Sequence, residues 1–305
     1  MNGSDLDDTE IDALLDPLPP SRPVLIAGPT ASGKSGLALR IAREHDGVIV
    51  NADALQVYEN WRILTARPSP AEEEVAKHEL YGFLPADALY SVGDWLRDLE
   101  PILQGDRRPI IVGGTGLYFS ALTEGLAEIP PTPGSVRQEG EARLAESGIE
   151  ALLAELDPDT LSRIDTRNPA RVARAWEVQK TTGRGLADWQ DDTPAPRLEL
   201  SDTLPLVLMP ERDWLRDRIA RRFDAMLAAG ALEEARANMD NFSPDLPSAK
   251  AIGAKELIAH LRGTWTIDEA REASIVSSQQ YAKRQRTWFR SRMSKWHQIP
   301  LPGGN

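Results

Sequence analysis

At 305 residues the chain is long enough for one sizeable α/β core with a smaller appendage. Its 41% hydrophobic and 27% charged content excludes wholesale disorder, and the lack of cysteine excludes disulfides, thiolate metal sites and cysteine nucleophiles, which favours a reducing compartment. No stretch reaches the roughly 18 apolar residues of a membrane span, and the start is acidic where a secretory signal is basic then apolar, so a cytoplasmic enzyme with no membrane attachment is expected.

The formal charge of −12 is unevenly spread. Residues 1–20 carry six acids and no base, and read as a disordered acidic leader ending in the Pro17–Pro23 region. From Glu211 to the end there are 16 Lys/Arg against 12 Asp/Glu. The acid-free run Lys283, Arg284, Arg286, Arg290, Arg292, Lys295 lies there, and on charge alone it reads as a solvated helix face.

After the leader, Val24-Leu25-Ile26-Ala27 predicts a buried parallel strand, and Leu37, Ala38, Ile41 and Ala42 predict a helix over 35–44. Val48-Ile49-Val50 and Ile110-Ile111-Val112 predict two more strands, ending at Asn51-Ala52-Asp53 and at Gly113-Gly114-Thr115-Gly116. Past the Pro130–Gly134 linker the pattern is helical to about Trp189, and Asp191–Pro196 is a second linker. A strand pattern returns at 204–209, and the remainder to about Trp296 reads as helical. The expected fold is α/β: a P-loop NTPase-like parallel sheet flanked by helices, built from 21–129 and 196–305, with an inserted all-helical domain at 130–195. Ligands of such sheets sit beyond the carboxyl ends of the strands, so the three polar strand ends are expected to face one crevice.

Gly28-Pro29-Thr30-Ala31-Ser32-Gly33-Lys34-Ser35 fits G-x-x-x-x-G-K-[ST] between a predicted strand and helix. Its backbone N–H groups, the Lys34 charge and the helix N-terminus suit a polyphosphate, and the Ser35 hydroxyl suits Mg²⁺. By motif this is also an ATP-binding loop. The strand ending at Val112 lacks the acid that P-loop hydrolases place there, and the nearest strand-end acid is Asp53. A carboxylate at that point fits a general base as well as it fits a helix N-cap or a Mg²⁺ outer shell. Thr115 offers a hydroxyl at a strand end; Arg212 and Arg218, six residues apart, need not share a helix face and read as surface residues.

Six ordered blocks resemble the tRNA dimethylallyltransferase (isopentenyltransferase) family, bacterial type: GPTASGKS at 28–35, NADALQVY at 51–58, LTARPS at 64–69, VGGTGLYFSALTEGL at 112–126, RNPARVARAWEVQKTTGRGL at 167–186 and AKRQRTWFR at 282–290. The resemblance implies transfer of a dimethylallyl group from dimethylallyl diphosphate to the exocyclic amine of adenosine 37 in the tRNA anticodon stem-loop, with Mg²⁺ and release of diphosphate. It makes Asp53 and Thr115 catalytic, and gives the diphosphate to Gly28, Thr30, Ala31, Ser32, Gly33, Lys34, Ser35, Arg212 and Arg218. It gives the tRNA to Asp53, Ala54, Leu55, Gln56, Thr115, Arg137, Ala170, Arg171, Arg174, Lys250, Gly253 and Lys255, with Arg163 and Arg167 clustered nearby in the insertion. Ala54 stands where the family usually has serine, 61–64 reads WRIL for the common Leu-Asp-Ile-Gly, Ala254-Lys255 replaces a Tyr-Arg pair, and Gln279 an arginine. A monomer without an obligate protein partner is expected. The competing readings are a P-loop small-molecule kinase, a prenyltransferase of free adenine nucleotides, and a P-loop binding module without catalysis.

Overall fold

The computed structural model describes residues 8–301. Four apolar runs become β1 (Val24–Ala27), β2 (Gly47–Asn51), β4 (Arg108–Gly113) and β5 (Leu204–Pro210), with short β3 (His78–Glu79) and β6 (His297–Leu301) at the edges. They pair in parallel throughout, in the order β3-β2-β4-β1-β5-β6. Every residue of β1, β2 and β4 is buried, as a parallel sheet covered on both faces requires. Asn51, Gly113 and the end of β1 therefore finish side by side at the carboxyl ends of adjacent strands, where Ala27 is level with Gly113 and Asn51 with Val112.

Around the sheet run α1 (Asp8–Leu15), α2 (Lys34–Glu44), α3 (Pro70–Val75), α4 (Val92–Leu103) and α5 (Gly116–Glu124). Between Gly134 and Asp191 lie α6 (Gly134–Ser147), α7 (Ile149–Leu153), α8 (Pro158–Arg163), α9 (Pro169–Thr182) and α10 (Leu186–Asp191). After β5 come α11 (Arg212–Ala228), α12 (Ala231–Asn238), α13 (Ala254–Leu261) and α14 (Ile267–Arg292). The chain forms two compact units, one running up to Thr123 and resuming at Leu198, the other Glu124–Arg197.

On one side of the sheet, Leu37, Ala38 and Ile41 of α2 pack on Ile26, Ile49, Ile110 and Leu206. A second cluster joins Leu215, Ile219 and Phe223 of α11 to Leu257, Ile258 and Ile275, with Trp61 and Leu64 of the loop after β2. The helical unit has its own core of Leu152, Leu156, Val172, Ala175 and Trp176.

The expectation of a disordered leader over 1–20 is corrected from Asp8 onward; residues 1–7 lie outside the described residues. Helix α1 buries Ile11 and Leu15 in the sheet cluster, with Leu14 and Leu18 packed against it. Asp12 Oδ1 accepts a charge-assisted bond from Arg40 Nη1 at 2.6 Å, and the Arg108 guanidinium donates to Pro19 O and Pro20 O, each at 3.1 Å. The acidic composition conceals an apolar stripe at 11, 14, 15 and 18, the spacing of a helix face. Leu15→Ala is accordingly expected to lower stability by about 2–5 kcal/mol in urea unfolding; an undocked leader would show no change in midpoint.

Candidate active site

The phosphate loop begins where β1 ends. Ala31 (φ 63°) and Gly33 (φ 92°) both take left-handed backbone conformations, and this double reversal starts α2 at Lys34. Gly33 adopts it freely, whereas Ala31 carries a cost of about 1–2 kcal/mol that its packing against the α11 cluster offsets. The Lys34 ammonium donates to Pro29 O at 3.3 Å. Burial pushes Lys34 down to about 8, Arg222 pushes the same way, and Asp53 partly opposes them. Gly28 and Ser32 lie buried at the loop's base, Thr30 is half-buried, and the Ser35 side chain is exposed at the start of α2. Among the described residues no group of three or more His, Cys, Asp or Glu could hold a metal. A single hydroxyl, Ser35, fits a hard cation carried mainly on polyphosphate oxygens and water rather than one caged by protein.

Asp53 sits just past β2 and is fixed by its neighbours. Asn51 Oδ1 accepts the Asp53 N–H at 2.8 Å, and Asn51 Nδ2 donates to Asp53 O at 2.9 Å. Asn51 O in turn accepts from Trp95 Nε1 at 2.7 Å. One carboxylate oxygen, Oδ1, accepts the Leu55 N–H at 3.0 Å and caps a turn, not a helix. The other, Oδ2, has no hydrogen-bond partner among the described residues and lies 3.3 Å from where a Cβ on Gly114 would stand. Thr115 Oγ1 accepts the Ala54 N–H at 3.0 Å, and the Thr115 N–H donates to Ala52 O at 3.2 Å. The two strand-end turns are thus bonded into one rim.

An open cleft of about 700 Å³ contains Thr30, Lys34, Asp53, Leu55 and Gln56 from these turns. Ile219, Arg222 and Phe223 of α11, Ala251 and Ile252, and Ser278 and Tyr281 of α14 complete it. The Gln56 amide donates to Thr65 O at 2.8 Å and Ala66 O at 3.0 Å, so both its protons serve the loop. That loop is held in turn by Glu234, whose carboxylate accepts the successive N–H groups of Arg62, Ile63 and Leu64 at 2.6–3.0 Å. Burial and the Asp53 charge raise the Tyr281 phenol well above its usual value, so it keeps its proton, within hydrogen-bonding reach of Thr115 and Gln285.

The two arginines named from the sequence part company. Arg218 Nε donates to Ala31 O in the phosphate loop at 3.1 Å, and its guanidinium lies 4.5 Å over the Trp214 ring. Arg212 is exposed at the first position of α11, near Arg286, and does not line the cleft. Arg222 does line it, one helical turn after Arg218, where it feels Asp53, Lys34 and Arg218. The i,i+4 spacing of Arg218 and Arg222 was the available signal. Tyr281 and Gln285 were also missed; they sit inside the AKRQRTWFR region and just before it, where only tertiary packing reveals their partners.

Of the tRNA candidates, Asp53, Leu55 and Gln56 line the cleft and Ala54 does not. Lys250 and Lys255 are exposed, while Gly253 (φ 99°) starts α13 and donates its N–H to Glu256 Oε2 at 3.1 Å. In the helical unit Arg137, Ala170, Arg171 and Arg174 are exposed. Arg174 Nη1 donates to Thr132 Oγ1 at 2.9 Å, which sets the start of α6, with Arg137 in its first turn, beside the α9 arginines. Arg163 differs: its guanidinium grips Asp191 at 2.6 and 3.0 Å and Asp159 at 2.8 Å, bracing α8 to α10.

Comparison with known proteins places these features in context. A model described as IPP transferase matches residues 56–292, and one described as Isopentenyl transferase matches 22–81. A tRNA dimethylallyltransferase of Cereibacter sphaeroides is 62% identical over 286 residues, covering 94% of this chain and 98% of that protein. One from Ruegeria sp. is 60% identical, covering 93% and 98%. The crystal structure of a full-length tRNA isopentenylpyrophosphate transferase from Bacillus halodurans superposes with a TM-score of 0.65 at 32% identity, covering 92% of this chain and 90% of that one. A eukaryotic dimethylallyltransferase acting on tRNA shares the fold, with a TM-score of 0.77 at 24% identity over 91% of this chain and 73% of that one.

Proposed function

The chain belongs to the IPP transferase family, and on that premise we propose that it transfers the dimethylallyl group of dimethylallyl diphosphate to the exocyclic amine of adenosine 37, beside the anticodon of tRNA, releasing diphosphate. The observation that carries this reading is one cleft joining Lys34 and Arg222 to the unbonded Oδ2 of Asp53. Cations for a leaving group and a base for an incoming amine occupy the same space.

The adenosine must leave its stack to present the amine, at a cost of a few kcal/mol. Leu55, Gln56 and Thr115 receive the base, and Asp53 Oδ2 takes the amine proton. The new bond joins the amine nitrogen to the allylic carbon, and the carbon–oxygen electron pair departs with diphosphate. Lys34, Arg218, Arg222 and the N–H groups of residues 28–35 meet that charge. Ser35 would hold Mg²⁺, which supplies further neutralisation of the diphosphate when bound. Arg212 belongs outside this set. Arg137, Arg171, Arg174, Lys250 and Lys255 are the RNA-facing cations, with Ala170 exposed among them; Gly253 is buried against Leu64 and Phe223 and belongs outside this set. The proposed place of action is the cytoplasm. No described helix is long and apolar enough to cross a membrane.

Incubation with labelled dimethylallyl diphosphate, Mg²⁺ and unmodified tRNA is expected to label the RNA. Parallel reactions with AMP, or with ATP and small acceptors, are expected to stay blank; labelled AMP or consumed ATP would instead support the nucleotide prenyltransferase or the kinase. Arg171→Ala with Arg174→Ala is expected to weaken binding of all substrate tRNAs alike. The slope of log affinity against log salt should shallow by about 1 per arginine, measured by filter binding across a salt series.

A further inference from the structure

Helix α14 sends one polar side chain into the protein between the two halves of the site. Gln285 is 6% exposed, and a buried amide is costly unless both of its ends are bonded. Here both are, to different loops. Oε1 accepts the N–H of Thr30, within the phosphate loop, at 2.9 Å. Nε2 donates to the carbonyl of Gly114, next to Thr115, at 3.0 Å. A Cβ on Gly114 would stand 2.2 Å from Nε2, so the glycine is the space in which the amide arrives. Thr115 in turn holds Ala54, beside Asp53.

We propose that Gln285 is a positioning residue that fixes the spacing between the diphosphate loop and the base-side turn, and thereby links occupancy of one substrate site to occupancy of the other. The chemistry of the link is specific. A glutamate would keep the acceptor for Thr30 but turn a second acceptor on the Gly114 carbonyl, and a leucine would fill the volume with neither bond. Asparagine carries the right groups on a stem one methylene shorter, too short to serve both loops from the same backbone position. The transfer reaction of the preceding subsection is presupposed, since it is what makes the distance between the loops matter. A misplacement on the order of 1 Å between reacting groups can cost about 10²-fold in rate.

The test uses Gln285→Leu in the full chain and reads three quantities. These are kcat for tRNA labelling, the Kd of inorganic diphosphate with Mg²⁺, and that Kd again with saturating unmodified tRNA. The wild type is expected to bind diphosphate at least about 5-fold tighter when tRNA is present. Q285L is expected to lose that dependence and about 10²-fold in kcat, while the Kd of diphosphate alone changes little. A wild type with no dependence, a variant that retains it, or an unchanged kcat overturns the proposal. A residue that merely filled the core would shift the melting temperature without touching the dependence. Should Q285L not fold, Gln285→Ala removes the same two bonds with a smaller side chain. Q285A is expected to lose the tRNA dependence of diphosphate binding in the same way, and a folded Q285A that keeps it overturns the link. Diphosphate binding is read without turnover. A wild type that binds both ligands but leaves tRNA unlabelled therefore sinks the transferase reading and not the linkage.

Discussion

Asp53→Asn is expected to reduce single-turnover labelling of tRNA by about 10²–10⁴-fold, the usual cost of removing a positioned base, while leaving both ligands able to bind. The substitution isolates the proton-accepting role because it spares the structural one. The Asn side chain still presents an Oδ1 to the Leu55 N–H, which Asp53 now binds at 3.0 Å. The brace from Asn51 uses only the backbone of residue 53 and is untouched. What disappears is the acceptor at Oδ2 and one negative charge. That charge currently favours the protonated forms of Lys34 and Arg222. Its loss makes the cleft more positive, so diphosphate should bind D53N as tightly as the wild type or more so. Measuring diphosphate affinity and single-turnover rate on the same preparation separates the roles. Retained turnover would remove Asp53 from the chemistry, as would be expected of a P-loop module that binds without catalysing.

The parts of this site that could be read in advance are those written consecutively. The phosphate loop, Asp53 and Thr115 each lie at the end of an apolar run, and parallel strands buried on both faces leave such runs unbroken. Edge strands do not: β3 is two residues long, and β6 contributes His-Gln-Ile-Pro-Leu, with only Ile299 and Leu301 buried. Arg222, Tyr281 and Gln285 escaped for another reason. Each is an ordinary helical residue until α11 or α14 is laid across the strand ends, and nothing within several residues of it states what it will meet. Arg163 shows the converse. Counted with its neighbours it looks like part of an RNA-facing patch, yet Asp191, 28 residues away, claims its guanidinium. Charge composition could not distinguish a cation held by carboxylates from one that is not.

Lys34→Met should be nearly as damaging as D53N, by about 10²–10³-fold in turnover, the range for deleting one preorganised group that meets developing transition-state charge. The pH dependence gives the stronger test, because two effects of one side chain run in opposite directions. In the protein without ligand, Lys34 falls from 10.5 to about 8. Between those values the unfolded chain holds a proton that the folded chain has released, so this group makes stability rise as pH increases from about 8. A bound diphosphate reverses the preference. It favours the ammonium and raises its pKa, so binding above about pH 8 requires uptake of a proton and weakens as pH climbs. The rise in melting temperature caused by diphosphate should therefore shrink above pH 8, even as the ligand-free protein gains stability from this residue. In K34M both trends from this group vanish together. A ligand-induced shift in the wild type that stays constant from pH 7 to 10 would show that Lys34 does not meet the diphosphate, whatever its place in the loop.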